Sequence, residues 1–239
     1  MNIRFLGSRW LRWAVLTILL TTFLAGCAAF RSDLQGTYSA KGQSTPTRGT
    51  VSVFFIFDHV RQTLGLDAIP KLQNKRTMMW GFDDIFQDAL REVHNLGPYA
   101  TFTEESDDVN RPDRRAVRDS LWTKMDYTVK IRIESTQRFS SLFLGSLASS
   151  VTLTVLPIPY RTTYTMTTSI FDRNHQLLTE YHRQAHLTRW VETLLVFVYP
   201  FAPTARVREE IYMEMLHDTF RQIDQEGVLK PAVTGQEQD

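Results

Sequence analysis

A single cysteine, Cys27, stands among the 239 residues, so the chain cannot form an internal disulfide framework or a zinc site built from cysteines. An excess of either charge is also missing, because 27 basic and 26 acidic side chains leave a formal net charge of +1. Without a basic field there is no electrostatic reason to expect nucleic acid as a partner. The sequence thus excludes disulfide-stapled scaffolds and gives no support to nucleic-acid binding.

The common catalytic signatures are missing too. The sequence has no glycine-rich phosphate loop, no Gly-x-Ser-x-Gly elbow, no His-Glu-x-x-His pair and no paired cysteine motif. We therefore predict no catalytic residue, no cofactor and no metal, and a protein that is not an enzyme. An enzyme of the cell envelope stays the second alternative, which a pocket with converging titratable groups would favour.

Two histidines near the carboxyl half suggest a metal site only at first sight. His182 and His186 belong to a predicted strand, where four residues span about 13 Å, too far for one ion to bridge. They share the solvent-facing side of that strand with Glu180 and Gln184. We therefore expect solvated surface histidines.

The other titratable residues also fit structural roles. We expect His59, His94 and His217 to be core or surface residues, with Glu214 and Asp218 as the neighbours of His217. The densest acidic run lacks the turn glycine that a calcium loop needs, so we predict a solvated loop before a charged helix start. That run consists of Glu104, Glu105, Asp107 and Asp108.

The first 26 residues have the composition of an export signal. Arg4, Arg9 and Arg12 precede an uncharged run from Trp13 to Ala25 that is rich in leucine, isoleucine and valine. Such a run is typical of a signal peptide, and it is shorter than the roughly 20 residues that a spanning helix needs. We predict that residues 1–26 are a signal peptide.

The signal ends in Leu24-Ala25-Gly26-Cys27, which resembles the lipobox of bacterial lipoproteins. In that family the cysteine thiol is alkylated by diacylglycerol, the chain is cut before it, and the new amino group is acylated. The resemblance implies cleavage between Gly26 and Cys27 and fatty acyl chains, such as palmitate, on Cys27. More than one acyl chain gives stable membrane anchoring. The alternative is an ordinary signal peptide followed by a buried cysteine.

The residue after the cysteine is Ala28, not the aspartate that retains many such lipoproteins in the inner membrane. By the same resemblance we expect the periplasmic face of the outer membrane of a Gram-negative bacterium. Residues 27–49 are rich in serine and glycine, so we predict a lipidated N-terminus and a flexible tether. Residues 50–230 form the predicted folded domain, and residues 231–239 a disordered tail.

The periods of apolar residues between these limits predict an α+β domain. We expect strands over residues 51–57, 99–104 and 126–134, a helix over 82–93 and a short helix over 116–124. Residues 162–171 and 176–188 predict a hairpin with a turn at 172–175, and a helix follows between Thr204 and Gly227. This order, β-α-β-α-β-β-β-α, favours a mixed sheet with helices on one face.

That order behind a lipobox resembles the fold of the amino-terminal domain of TolB and of the curli-secretion lipoprotein. The resemblance covers roughly residues 50–229 and lies in the pattern of elements. The chain is also similar to a group of Gram-negative envelope lipoproteins that carry an apolar segment on each side of the hairpin. A shared fold does not supply a function.

Two apolar segments, 139–160 and 190–203, flank the predicted hairpin. Phe139 to Tyr160 is a run of 22 residues without a charge, and Thr193 to Ala205 is a run of 13. If the hairpin forms, both segments emerge from the same edge of the sheet. As residues that dock on a membrane or partner we predict Leu142, Phe143, Leu144, Val151, Leu153, Val155, Trp190, Leu194, Leu195, Phe197, Tyr199 and Phe201.

Three interpretations of these segments stay open. They could pack on the sheet as a small second core, or form a lobe that enters the bilayer or docks on a partner, since large apolar patches are rarely left in water. Alternatively, several subunits could each contribute a hairpin to a shared barrel. Only residues 148–156 show the alternation that a barrel strand needs, which weakens the barrel interpretation.

The sequence as a whole predicts a non-enzymatic outer-membrane lipoprotein. Its partners would be the membrane, through acylated Cys27, and an envelope protein or further copies of the chain, in envelope assembly or transport. The first alternative is a subunit of an oligomeric outer-membrane secretion or assembly channel.

Overall fold

Strands from both ends of the folded domain join one mixed sheet. The computed structural model describes residues 26–39, 49–64, 70–71, 81–138, 158–192 and 204–231. Over these residues the sheet has seven strands in the order β1-β7-β6-β5-β2-β3, and β4 pairs with β2. The strands are β1 (Gly26–Arg31), β2 (Val51–Leu64), β3 (Pro70–Lys71), β4 (Leu96–Thr103), β5 (Tyr127–Arg138), β6 (Ile158–Asp172) and β7 (Leu177–Glu192).

Strand β2 lies parallel to both β4 and β5, and the other pairings are antiparallel. Three α-helices complete the described chain: α1 (Phe82–Ala89), α2 (Pro112–Lys124) and α3 (Thr204–Glu226). Gly81 precedes α1 with a φ of 78°, a backbone conformation that glycine adopts without strain. Pro112 opens α2, where its missing N–H costs no hydrogen bond.

Helices α1 and α3 pack on one face of the sheet. The ring of Phe86 from α1 lies 5.0 Å from Phe55 and 4.9 Å from Phe57 of β2. Phe220 from α3 lies 5.9 Å from Phe55. All four rings are buried, so an aromatic layer between β2 and the two helices forms the centre of the core.

The opposite face of the sheet is covered in part by α2. Phe54 and Ile56 point to this face and are fully buried. The ring of Trp122 in α2 lies 5.7 Å from that of Phe171. The strands away from α2, by contrast, present threonine, serine and histidine side chains to solvent. In the described part of the chain, no helix combines the length and the apolarity that crossing a bilayer demands.

The structure confirms the α+β class and the mixed sheet, with β1 and β3 added to the predicted order of elements. Helices α1 and α3 share one face as predicted, whereas α2 packs on the other. Most predicted strands are longer in the structure than their apolar pattern. Strand β2 continues past Phe57 to Leu64, because the adjacent β5 offers a matching ladder up to Arg138. Backbone pairing rather than side-chain alternation therefore sets the strand ends.

Candidate functional site

The strand termini that border the two apolar segments meet at one end of the sheet. Strand β6 begins at Ile158, β7 ends at Glu192, and Ile158 pairs with Val191. Segment 139–160 therefore enters the sheet where segment 190–203 leaves it. This confirms the expectation that both segments emerge from the same edge of the sheet.

The residue predicted to carry the lipid lies in the same row. In β1, the backbone of Cys27 pairs with Val191, on the other side of β7 from Ile158. We name the part of the sheet around Cys27, Val191 and Ile158 the Cys27 end. The side chain of Cys27 lies outside the described residues, and its lipidation and the cut after Gly26 stay predictions.

The predicted docking residues lie mostly outside the described chain. Trp190 is described: it is half-buried and pairs with Pro159 on one side and Ala28 on the other. The remaining docking residues, all outside the described residues, are Leu142, Phe143, Leu144, Val151, Leu153, Val155, Leu194, Leu195, Phe197, Tyr199 and Phe201.

The prediction of a flexible tether over residues 27–49 is wrong for its first part. After β1, Gln35 forms a β-bridge with Gln184 of β7. The backbone N–H of Tyr38 then donates to Asp218 of α3 at 3.1 Å. Without this segment, β7 would be an open sheet edge with unpaired backbone groups. Pairing with those groups holds the N-terminal segment in place, although its own residues have little apolar periodicity.

A buried ion pair fixes α3 against β7 and holds the N-terminal segment. The side chain of Arg183 is 4% exposed, and its Nε donates to Asp218 at 2.6 Å. Its Nη1 donates to the carbonyl of His182 at 2.9 Å, and Nη2 donates to Gln222. Because Asp218 also accepts from Tyr38, one carboxylate links a strand, a helix and the N-terminal segment.

A polar cleft of about 460 Å³ lies beside this ion pair. Its charged groups are already paired: Glu180 Oε1 lies 3.0 Å from His182 Nε2, and Arg183 is held by Asp218. The described residues around the cleft therefore offer no converging set of catalytic groups. The lining comprises Gly36, Thr37, Tyr38, Ser39, Glu180, Tyr181, His182, Arg183 and Gln222.

His59 is a buried core histidine. Its ring lies 4.8 Å from Phe82, edge to face, and is stacked 6.4 Å from Tyr212. Burial lowers the pKa of His59 from 6.5 to about 4, and the neighbouring charge of Asp58 opposes this change only in part. The imidazole is therefore neutral at pH 7. Its Nε2 has no hydrogen-bond partner among the described residues.

His182 and His186 share the solvent-facing side of β7, as predicted. Nδ1 of His182 lies 3.2 Å from the Thr167 hydroxyl, and Nδ1 of His186 lies 3.0 Å from that of Thr163. Burial lowers the pKa of His186. Each histidine is thus part of a cross-strand pair with its own threonine.

The acidic run at 104–108 is not the solvated loop that we expected. Asp108 is buried, and Arg114 Nε donates to it at 2.6 Å while Arg114 Nη1 lies 3.2 Å from Glu105. One oxygen each of Glu105, Asp107 and Asp108 lies within 4.8 Å of the others. The guanidinium of Arg114 supplies positive charge to this group, which makes it a connection between the loop and α2.

His217 has other partners than expected, and the exposed His94 also lies beside a carboxylate of α3. His217 of α3 lies 2.9 Å from Glu92 and 3.2 Å from Asp88, so its contacts come from the α1 region and not from Glu214 or Asp218. Hydrogen bonding to Arg221, opposed by burial and helped by His217, lowers the pKa of Glu92. His94 similarly lies 2.9 Å from Asp224. These contacts connect α1 to α3 near the protein surface.

Two arginines at the Cys27 end escaped the sequence prediction. From the sequence alone we predict no role for Arg189 or for Arg161, the first charged residue after the run that ends at Tyr160. The signal was present in the order of residues, because an aromatic residue adjoins each of them: Tyr160 beside Arg161 and Trp190 beside Arg189.

No protein-family profile and no curated protein sequence matches the chain. Among solved structures, it is similar to the PelC dodecamer from Paraburkholderia phytofirmans, with 9% identity and a TM-score of 0.32, covering 80% of this chain and 96% of the PelC chain. A point variant of the same PelC dodecamer has 10% identity, a TM-score of 0.31 and the same coverage. Scores this low carry no conclusion about the function of the chain.

Proposed function

We propose that this protein is a non-enzymatic lipoprotein of the outer membrane, anchored through Cys27 and facing the periplasm. The observation that supports it best is the register at the Cys27 end. Cys27, Val191 and Ile158 lie in one row, so the predicted lipid attachment point and the strand termini that border both apolar segments are at the same end of the sheet. Through segments 139–160 and 190–203 this end would dock on the membrane or on an envelope protein.

The paired N-terminal segment gives the proposal a definite geometry. Because β1 begins at Gly26 and pairs with β7, Cys27 has no free linker between it and the sheet. Acyl chains on Cys27 would hold the Cys27 end at the lipid surface, with no long spacer between membrane and domain. The apolar segments would then contact the bilayer, or a protein embedded in it.

The anchor is tested by labelling cells that express the full chain with a radioactive fatty acid. We expect label in the wild-type protein and none in Cys27→Ser. The matched control is Cys27→Ser/Ser39→Cys, which keeps one cysteine at an exposed position outside the tetrapeptide. Label in the control, or in Cys27→Ser alone, would contradict lipidation at Cys27.

The docking role is tested separately by deleting residues 142–156. We expect lipidation to persist while detergent extraction or co-purification of envelope proteins changes. An unchanged profile in both measurements would refute docking through this segment. The mass of the acylated protein in mild detergent distinguishes the channel alternative, because a monomer excludes an oligomeric channel.

A further inference from the structure

The residues at the Cys27 end change in character along the strands. The outermost row that β6 and β7 share is apolar, and beyond it Glu192 pairs only with Gly26 of β1. The second row contains Trp190, the third contains Tyr160 together with Arg189, and Arg161 lies in the fourth. At about 3.3 Å per residue, the arginines lie roughly 7 and 10 Å from the outermost row. From the end inward, the pairs between β6 and β7 are Ile158 with Val191, Pro159 with Trp190, Tyr160 with Arg189, and Arg161 with Thr188.

This order is that of a membrane interface. In a bilayer the hydrocarbon gives way to a headgroup layer about 5–8 Å thick on each side, where tryptophan and tyrosine are enriched. An arginine side chain is about as long as this headgroup layer is thick, so it places its guanidinium at the level of the phosphates. The two arginines are therefore at the depth of lipid headgroups if the outermost row touches the hydrocarbon.

Neither arginine is neutralised within the described chain. Arg161 is exposed, and neither it nor Arg189 forms an ion pair with a described carboxylate. The guanidinium carbon of Arg189 lies 5.3 Å from the centre of the Tyr160 ring, and its Nε is buried without a hydrogen-bond partner among the described residues. Nearby Arg31, by contrast, is paired with Glu214. Among the described residues, no carboxylate therefore matches the positive charge of Arg161 and Arg189, which suits them to bind an anion.

We infer that Arg161 and Arg189 bind the phosphate groups of anionic phospholipids at the Cys27 end. The inference rests on the proposed function, because the lipid anchor would hold this end at the headgroups. A lipid phosphodiester carries one negative charge and paired oxygens, which suit the forked guanidinium. The apolar row and Trp190, which lie outside both arginines, favour a lipid over a soluble acidic partner, which would require no such row.

The experiment uses the native acylated full chain in mild detergent, with equal concentrations of phosphatidylglycerol and phosphatidylcholine added. Native mass spectrometry measures the ratio of the two lipids bound. Since each basic residue near an anionic lipid contributes about fivefold in affinity, we expect a preference of about 30-fold for phosphatidylglycerol from two arginines. Arg161→Gln/Arg189→Gln should bind both lipids about equally, and added inorganic phosphate should not displace phosphatidylglycerol.

A matched double variant controls for the loss of charge. Arg91→Gln/Arg115→Gln removes two exposed arginines far from the Cys27 end and should keep the full preference. Glu192→Gln removes the negative charge one residue beyond the apolar row and should raise the preference, a gain that misfolding could not produce. An equal fall in both double variants, displacement by inorganic phosphate, or no preference in the wild type would overturn the inference.

The result separates this inference from the proposed function. If fatty acid labels Cys27 but the two lipids bind equally, the headgroup contacts are refuted and the anchor stands. If Cys27 carries no label but the preference persists and depends on Arg161 and Arg189, the anchor is refuted and the phosphate contacts stand.

Discussion

The buried imidazole of His59 makes stability depend on pH, and His59→Phe should remove that dependence. The pKa of this side chain is about 4 in the folded protein and 6.5 in the unfolded chain. Because the folded pKa is the lower one, the unfolded chain binds the proton more readily below pH 6.5. The contribution to folding is therefore complete above about pH 6.5 and is lost as the pH falls towards 4.

The size of the effect follows from the two pKa values. Their difference corresponds to about 3 kcal/mol once the pH is below both. Between pH 7.5 and pH 5.0, the same values give a loss of about 2 kcal/mol in the free energy of unfolding. Phenylalanine fits the site, because the ring of His59 already packs edge to face on Phe82 and its Nε2 loses no described hydrogen bond.

The assay is urea unfolding followed by tryptophan fluorescence, at both pH values, for wild type and His59→Phe. We expect the wild type to lose about 2 kcal/mol more than the variant between pH 7.5 and pH 5.0. The lowered pKa of His186 acts in the same direction, but His186 is present in both proteins and cancels in the comparison. Equal losses in the two proteins would refute the reasoning about His59.

Two further predictions concern the contacts of the N-terminal segment. Arg183→Met leaves the carboxylate of Asp218 without its buried partner and should lower the free energy of unfolding by about 3–5 kcal/mol, measured by urea unfolding; a loss below 1 kcal/mol would contradict it. Gly36→Ala would put a Cβ 2.5 Å from the carbonyl of His182 and should expose the segment to limited proteolysis, whereas Gly81→Ala, with a similar positive φ and open space, should not. Equal cleavage of both glycine variants would show that backbone strain, not the close approach, decides the outcome.

Much of the fold could be predicted because the core strands have a clear period. In β5, Val129, Ile131 and Ile133 are buried and alternate with polar residues, as the sequence indicates. Strand β1 could not be predicted in this way, since its pairing depends on the open edge of β7 and not on its own residues. Local pattern predicts which side of a strand is buried, and only the assembled sheet shows which short segment completes it.

The site was predictable in part for the same reason. That the strand termini bordering the two apolar segments lie side by side follows from the hairpin, and the pairing of Ile158 with Val191 confirms it. Arg183 was missed because charged residues are almost never fully buried without a partner, and its partner Asp218 lies on another element. Its position between the buried residues Tyr181 and Ala185 was a signal that the alternation of β7 already contained.

The bond between Gly26 and Cys27 lies within a paired strand of the folded protein. A peptidase grips its substrate as a lone extended chain, and this stretch is extended but already hydrogen-bonded to the end of the hairpin. That hairpin is synthesised long after the predicted signal peptide. The predicted cleavage must therefore occur before β1 pairs with β7. In a precursor that folds first, the bond between Gly26 and Cys27 would lie within the sheet and be inaccessible to the peptidase.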